Sequence, residues 1–160
     1  MRRLLPALLF ALALPALVLP ALAHAASLTA LSAGDVPALL KPPAHGERIV
    51  AIWALDCAYC EANMQALAKL QRAHPHEIEL VTVATDDIAQ QRTALAQRLH
   101  VAGMDAYPAR AYAAATPERL DYLIDPDWGG ETPRTLVIRA DGTRTGISGA
   151  LPPETLQKLP

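Results

Sequence analysis

Trp53-Ala54-Leu55-Asp56-Cys57-Ala58-Tyr59-Cys60 holds the only two cysteines of the chain, two residues apart. Before it, Arg48 to Trp53 is a nearly continuous apolar run (Ile49, Val50, Ala51, Ile52, Trp53), the pattern of a strand buried on both faces. After it the apolar spacing turns helical, with Cys60, Met64 and Leu67 on one face of a helix reaching about Ala73. His74-Pro75 ends that helix, because the residue before a proline avoids helical geometry. A thiol at a helix start lies in the partial positive field of the N-terminus, which favours the thiolate. A second thiol one turn later can resolve a disulfide formed by the first. A purely structural bridge is the weaker reading, since so small a ring gains little loop-closure stabilisation. A zinc site is weaker too, because it usually needs four ligands and the pair supplies two.

The pattern around the motif is β-α-β. Glu77 to Thr85 reads as a second strand through Ile78, Leu80, Val81 and Val83, parallel to the first by a right-handed crossover. Asp86-Asp87 caps a helix to roughly His100, with Ile88, Leu95 and Leu99 on one face. Asp35 reads as N-cap of a short helix with Pro37 in its first turn, inside a lead-in from Leu28 to Ala44. Val101 to Thr116, rich in Ala and Tyr, reads as partly helical, and Pro117 to Ile124 as a short helix capped by Thr116. Asp125 to Glu131 is a loop with Trp128-Gly129-Gly130; its acids Asp125, Asp127 and Glu131 read as solvated rather than as metal ligands. Thr132-Pro133 precedes a strand over Thr135 to Arg139, Asp141-Gly142 is a hairpin turn, and Thr143 to Ser148 returns antiparallel. A last helix is expected over Glu154 to Leu159.

Residues 1–25 read as a secretory signal peptide. Met1-Arg2-Arg3 is positive, Leu4 to Leu22 is apolar, and small-x-small patterns place cleavage near Ala23 or Ala25. An uncleaved anchor is the alternative, as the run approaches the ~20 residues of a membrane span, but Pro6, Pro15 and Pro20 interrupt it. Cleavage removes Arg2 and Arg3 and no acid, so 14 basic residues become 12 against 16 acidic ones, a net charge of −4. That balance argues against a nucleic-acid partner, which calls for a basic patch. Export points to a periplasm, where the compartment is kept oxidising and a CxxC pair stays bridged unless electrons are supplied.

Strand, W-x-x-x-C-x-x-C, helix, strand, helix, then T-P, strand, D-G, strand and helix resembles the thioredoxin fold from about Gly46 onward, and the thioredoxin-like domain is expected to span residues 26–160. Together with Pro133-Arg134-Thr135-Leu136-Val137-Ile138-Arg139-Ala140-Asp141-Gly142, it is most similar to the periplasmic TlpA/ResA-type thiol:disulfide oxidoreductases. The resemblance implies an α/β three-layer fold, with a mixed central sheet of a parallel βαβ unit plus an antiparallel hairpin, flanked by helices. It implies Cys57 as attacking thiol and Cys60 as resolving thiol. It matches Pro133 to a cis-proline against the disulfide, Thr132 to a backbone that pairs with an extended substrate, and Trp53 to an aromatic beside the site. It implies no cofactor and no metal. The chain is expected to act as a monomer, more as a reductant than an oxidant, on protein substrates with disulfides or thiols. An external electron-donor or acceptor protein is needed, because there is no third cysteine.

Three positions depart from the family pattern. The buried acid of thioredoxin proper is Ala51, the proline common between the cysteines is replaced by Ala58-Tyr59, and a glutamate frequent three residues after the second cysteine is Asn63. Asp56 and Glu61 flank the pair instead, and Asp56 opposes the helix field at Cys57. The competing function is a periplasmic copper(I)-binding chaperone on the same fold, since two thiolates suit Cu(I) and Met64 lies one turn beyond Cys60. Against it, Sco-type copper proteins have a longer Cys spacing and a late histidine, whereas the last histidine here is His100. A peroxidase is disfavoured because no P-x-x-x-T-x-x-C pattern precedes Cys57.

Overall fold

The computed structural model describes residues 27–113 and 117–159. The segment read as a signal peptide, with its cleavage near Ala23 or Ala25, and the expected cap Thr116 lie outside the described residues. The element order is β1 (Leu28–Leu31), α1 (Val36–Leu39), β2 (Glu47–Trp53), α2 (Cys60–Ala73), β3 (Ile78–Asp87), α3 (Ile88–Val101), β4 (Ala109–Tyr112), α4 (Pro117–Ile124), β5 (Arg134–Arg139), β6 (Arg144–Ser148) and α5 (Pro153–Leu156). One sheet runs β1-β4-β3-β2-β5-β6. Its first four strands are parallel neighbours, while β5 and β6 join antiparallel. This is the mixed, helix-flanked sheet that the thioredoxin resemblance implies.

Both sheet faces are covered, so β2 reads as a continuous apolar run rather than an alternating one. Ile49, Ala51 and Trp53 face α2 and α3, packing with Cys60, Met64, Leu67, Leu95 and Leu99. Val50 and Ile52 face α1 and α4, packing with Val36, Leu39, Leu120 and Ile124. Leu67 has no accessible surface, and truncating such a leucine to alanine costs roughly 2–5 kcal/mol. Helix α2 stops at His74, whose φ of −128° and ψ of 57° leave the helical region ahead of Pro75.

Five expectations are corrected. The lead-in contains β1, and the described part of the Val101 to Thr116 stretch, up to residue 113, holds β4 rather than helix beyond Val101. Four residues carry too little periodicity to read; pairing between β1 and β3 overrides the helical preference of Ala109 and Ala111. Asp35 stands at the N-cap of α1, but its carboxylate accepts from Ser32 N–H (2.9 Å) and Ser32 Oγ–H (2.6 Å) instead of the helix. Helix α5 is shorter than expected, ending at Leu156. Finally, Asp125 is not solvated: it is buried against Arg134.

Candidate active site

Strand β2 ends at Trp53, and the chain turns tightly before α2. Cys57 N–H donates to Ala54 O (3.3 Å), and Leu55 N–H donates to Asp86 Oδ2 (3.0 Å) at the end of β3. Of the expected Asp86-Asp87 cap, only Asp87 serves α3, accepting from Ala89 N–H at 2.7 Å. Asp86 fixes the loop that delivers Cys57. Cys57 and Cys60 are joined as a disulfide with Cα atoms 5.5 Å apart. Cys57 retains 8 % of its surface and Cys60 only 1 %. Cys57 is therefore the more accessible sulfur of the pair and Cys60 the enclosed one.

Helix α2 starts at Cys60, and Tyr59 at its N-cap makes no side-chain cap. The positive end of the helix thus faces the loop that carries Cys57. Tyr59 itself is 64 % exposed, the largest apolar surface beside the pair. An open hollow of about 440 Å³ borders Cys57, lined by Leu55, Asp56, Ala58, Glu61, Gln65 and Arg98. A larger hollow, about 730 Å³, lies at the other end of the sheet around Arg48, Ile78 and Pro108, away from the sulfurs. Trp53 packs in the same buried cluster as both cysteines. Its indole N–H has no hydrogen-bond partner among the described residues. Met64 is core, 1 % exposed, and no three His, Cys, Asp or Glu side chains converge on a metal site among the described residues.

The strand register brings in the distant half of the site. Ile52 pairs with Arg134, so Thr132-Pro133 extends β5 past the end of β2, at the same sheet end as Cys57. The Thr132–Pro133 peptide is cis. Pro133 O accepts from Gly149 N–H at 2.8 Å, continuing the β5–β6 ladder. The backbone of half-buried Thr132 makes no hydrogen bond within the described chain. Ala51, in register between Thr82 and Thr135, puts no carboxylate beneath the pair.

Two supports of this loop escape sequence reading. Asn63 is 5 % exposed; its Nδ2 donates to Gly149 O (3.0 Å) and its Oδ1 accepts from Leu151 N–H (2.9 Å). The available signal was a polar residue on the apolar stripe Cys60–Met64–Leu67. On the opposite sheet face, Arg134 Nε and Nη2 donate to Asp125 Oδ2 (3.1 and 2.6 Å), and its Nη1 donates to Ser148 Oγ (2.6 Å). Ser148 Oγ in turn donates to Glu131, whose carboxyl is held below its usual range chiefly by that bond. Trp128 is buried on this face, its indole N–H donating to Glu131 O at 2.7 Å. It supports the loop from below.

No protein-family model matches the chain, and no curated protein matches it. Solved structures do. A thioredoxin-related protein from Neisseria meningitidis serogroup B aligns at 24 % identity with TM-score 0.55, over 72 % of this chain and 82 % of that one. StoA from Bacillus subtilis aligns at 17 % identity with TM-score 0.52, over 74 % and 84 %. A secreted Mycobacterium tuberculosis disulfide oxidoreductase homologous to E. coli DsbE aligns at 21 % identity with TM-score 0.50, over 69 % and 77 %. These likenesses place the chain in the thioredoxin-like fold.

Proposed function

We propose that this protein is an exported thiol-disulfide oxidoreductase that works as a reductant of protein disulfides in the periplasm. The observation that carries the reading is the graded pair itself: an accessible Cys57 bridged to a buried Cys60 at the uncapped start of α2, with the unbonded Thr132 backbone at the same sheet end. In the reduced protein, Cys57 thiolate attacks one sulfur of a client disulfide. A Cys57–client bond forms, and the client's other sulfur leaves as thiolate. Cys60 then gives up its proton to solvent and attacks Cys57 Sγ, releasing the second client sulfur. Two electrons have passed to the client, and the pair ends in the bridged form. An external dithiol protein must reduce it again.

The direction rests on the charges. DsbA oxidises because its reduced form is stabilised as thiolate. Here Asp56 and Glu61 flank the cysteines and Cys60 lies among apolar side chains, all of which disfavour a thiolate. The disulfide is then the relatively stable state, which makes the dithiol reducing. A TlpA/ResA-like role fits this direction, and the secreted neighbour agrees in compartment with the signal-like N-terminus.

The test is a redox titration of the Cys57–Cys60 pair together with trapping. A potential near the thioredoxin range, about −270 mV, is expected, and one near −120 mV, as in DsbA, would make the protein an oxidant. Cys60→Ser is expected to accumulate mixed disulfides through Cys57. Failure to reduce insulin, with no trapped species, would refute the exchange reading.

A further inference from the structure

We propose that Asn63 is a positioning residue: it ties the helix carrying Cys60 to the loop whose Thr132 backbone receives the client. The inference rests on the exchange reading above and names a part of the same site. Three hydrogen bonds run in series. Asn63 Nδ2 donates to Gly149 O at 3.0 Å, Leu151 N–H donates to Asn63 Oδ1 at 2.9 Å, and Gly149 N–H donates to Pro133 O at 2.8 Å. Asn63 lies one turn after Cys60, so the chain of bonds connects the resolving cysteine's turn to the residue next to Thr132.

The chemistry of the side chain matters. One amide group satisfies a carbonyl and an N–H of the same segment, two residues apart, and only a side chain with one donor and one acceptor does both. A carboxylate in its place would set a negative oxygen against Gly149 O. The Leu151 bond is buried and the Gly149 bond partly so, and partners left unpaired away from water are costly. Residues 149–151 lead from an exposed edge strand into a four-residue helix; the buried Leu151 side chain anchors one end of the segment in the core, and the Asn63 amide fixes its backbone. Because Pro133 O is occupied by Gly149 N–H, the position of the 149–151 segment sets the direction in which the Thr132 N–H and C=O are presented. A client that binds by pairing its backbone to Thr132 feels this; a small disulfide that only meets Cys57 does not.

The test compares two substrates on Asn63→Ala: an extended peptide with an internal disulfide, and the small aromatic disulfide DTNB. The peptide KM is expected to rise on the order of tenfold with kcat nearly unchanged, while the DTNB rate constant stays within about twofold. A peptide N-methylated at the residue facing Thr132 should lose affinity for the parent protein and much less for the variant. Equal losses on both substrates would mean a merely structural role and overturn the proposal, as would no loss on either. If Asn63→Ala does not fold, Asn63→Ser, whose short neutral side chain cannot span both the Gly149 and the Leu151 bonds, carries the same comparison. Parent protein inactive on both substrates would refute the exchange reading and this inference together; an active parent with an unaffected variant refutes this inference alone.

Discussion

Arg134 and Asp125 form an ion pair in which two guanidinium nitrogens converge on a single carboxylate oxygen, each residue only 9 % exposed. Arg134 directly follows Pro133, and Asp125 begins the loop that ends at Thr132. The pair therefore closes the loop on itself, beneath the proposed client strand. On the α2 side, Asn63 and Gly149 hold the same loop. The candidate site is thus braced on both faces of the sheet by polar groups outside the cysteine pair itself.

Removing one member of a buried pair leaves the other charge without a partner, which costs roughly 3–5 kcal/mol. Asp125→Ala should destabilise the protein by about that amount, read as a lower urea midpoint with an unchanged slope. A loss under about 1 kcal/mol would show that water reaches the pair, as at a surface bridge.

Gly146 in β6 lies against this pair. A Cβ there would come within 2.6 Å of Asp125 Oδ2 and closer still to the Arg134 guanidinium. Gly146→Ala should cost about 1–3 kcal/mol, the range for overpacking a filled site. Because the nearest obstacle is the arginine, the two changes should couple: in an Arg134→Ala background, which removes the guanidinium and frees the Asp125 carboxylate to shift, the added cost of Gly146→Ala should fall. Additive losses would place the strain elsewhere.

Tyr112 donates to Asp121 Oδ1 at 2.6 Å, and its hydroxyl is held above the usual 10.0, first by burial and then by that bond and the carboxylate charge. A group that keeps its proton longer folded than unfolded contributes stability that is complete below the unfolded value and declines as pH rises past it. Unfolding free energy of the parent protein should therefore fall above about pH 10, and Tyr112→Phe should flatten that limb relative to the parent. Parallel pH curves for the two proteins would contradict the assignment.

The elements nearest the cysteines were legible because their signals are local and redundant. Strand β2 has seven residues with an unbroken apolar run from Ile49 to Trp53, and α2 is a fourteen-residue amphipathic helix stopped by Pro75. Asp141-Gly142 turns the β5–β6 hairpin as its residues predict. Strands β1 and β4 were not legible: each is four residues, stabilised by its neighbours rather than by its own pattern. Asp125 misled because a carboxylate in a loop is ordinarily solvated, and its partner lies nine residues away in a strand.

Local patterns along the chain establish that two thiols sit at the junction of a buried strand and a helix, with Thr132-Pro133 before a later strand. Those facts depend on composition and periodicity along a short stretch of chain. Only the tertiary structure decided which thiol is reachable, where the Thr132 backbone stands, and that Asn63, Asp86 and the Arg134–Asp125 pair hold the surrounding loops. These depend on contacts between residues from nine to nearly ninety positions apart. A side chain's own identity does not reveal whether folding will bring its donor to an acceptor so far along the chain.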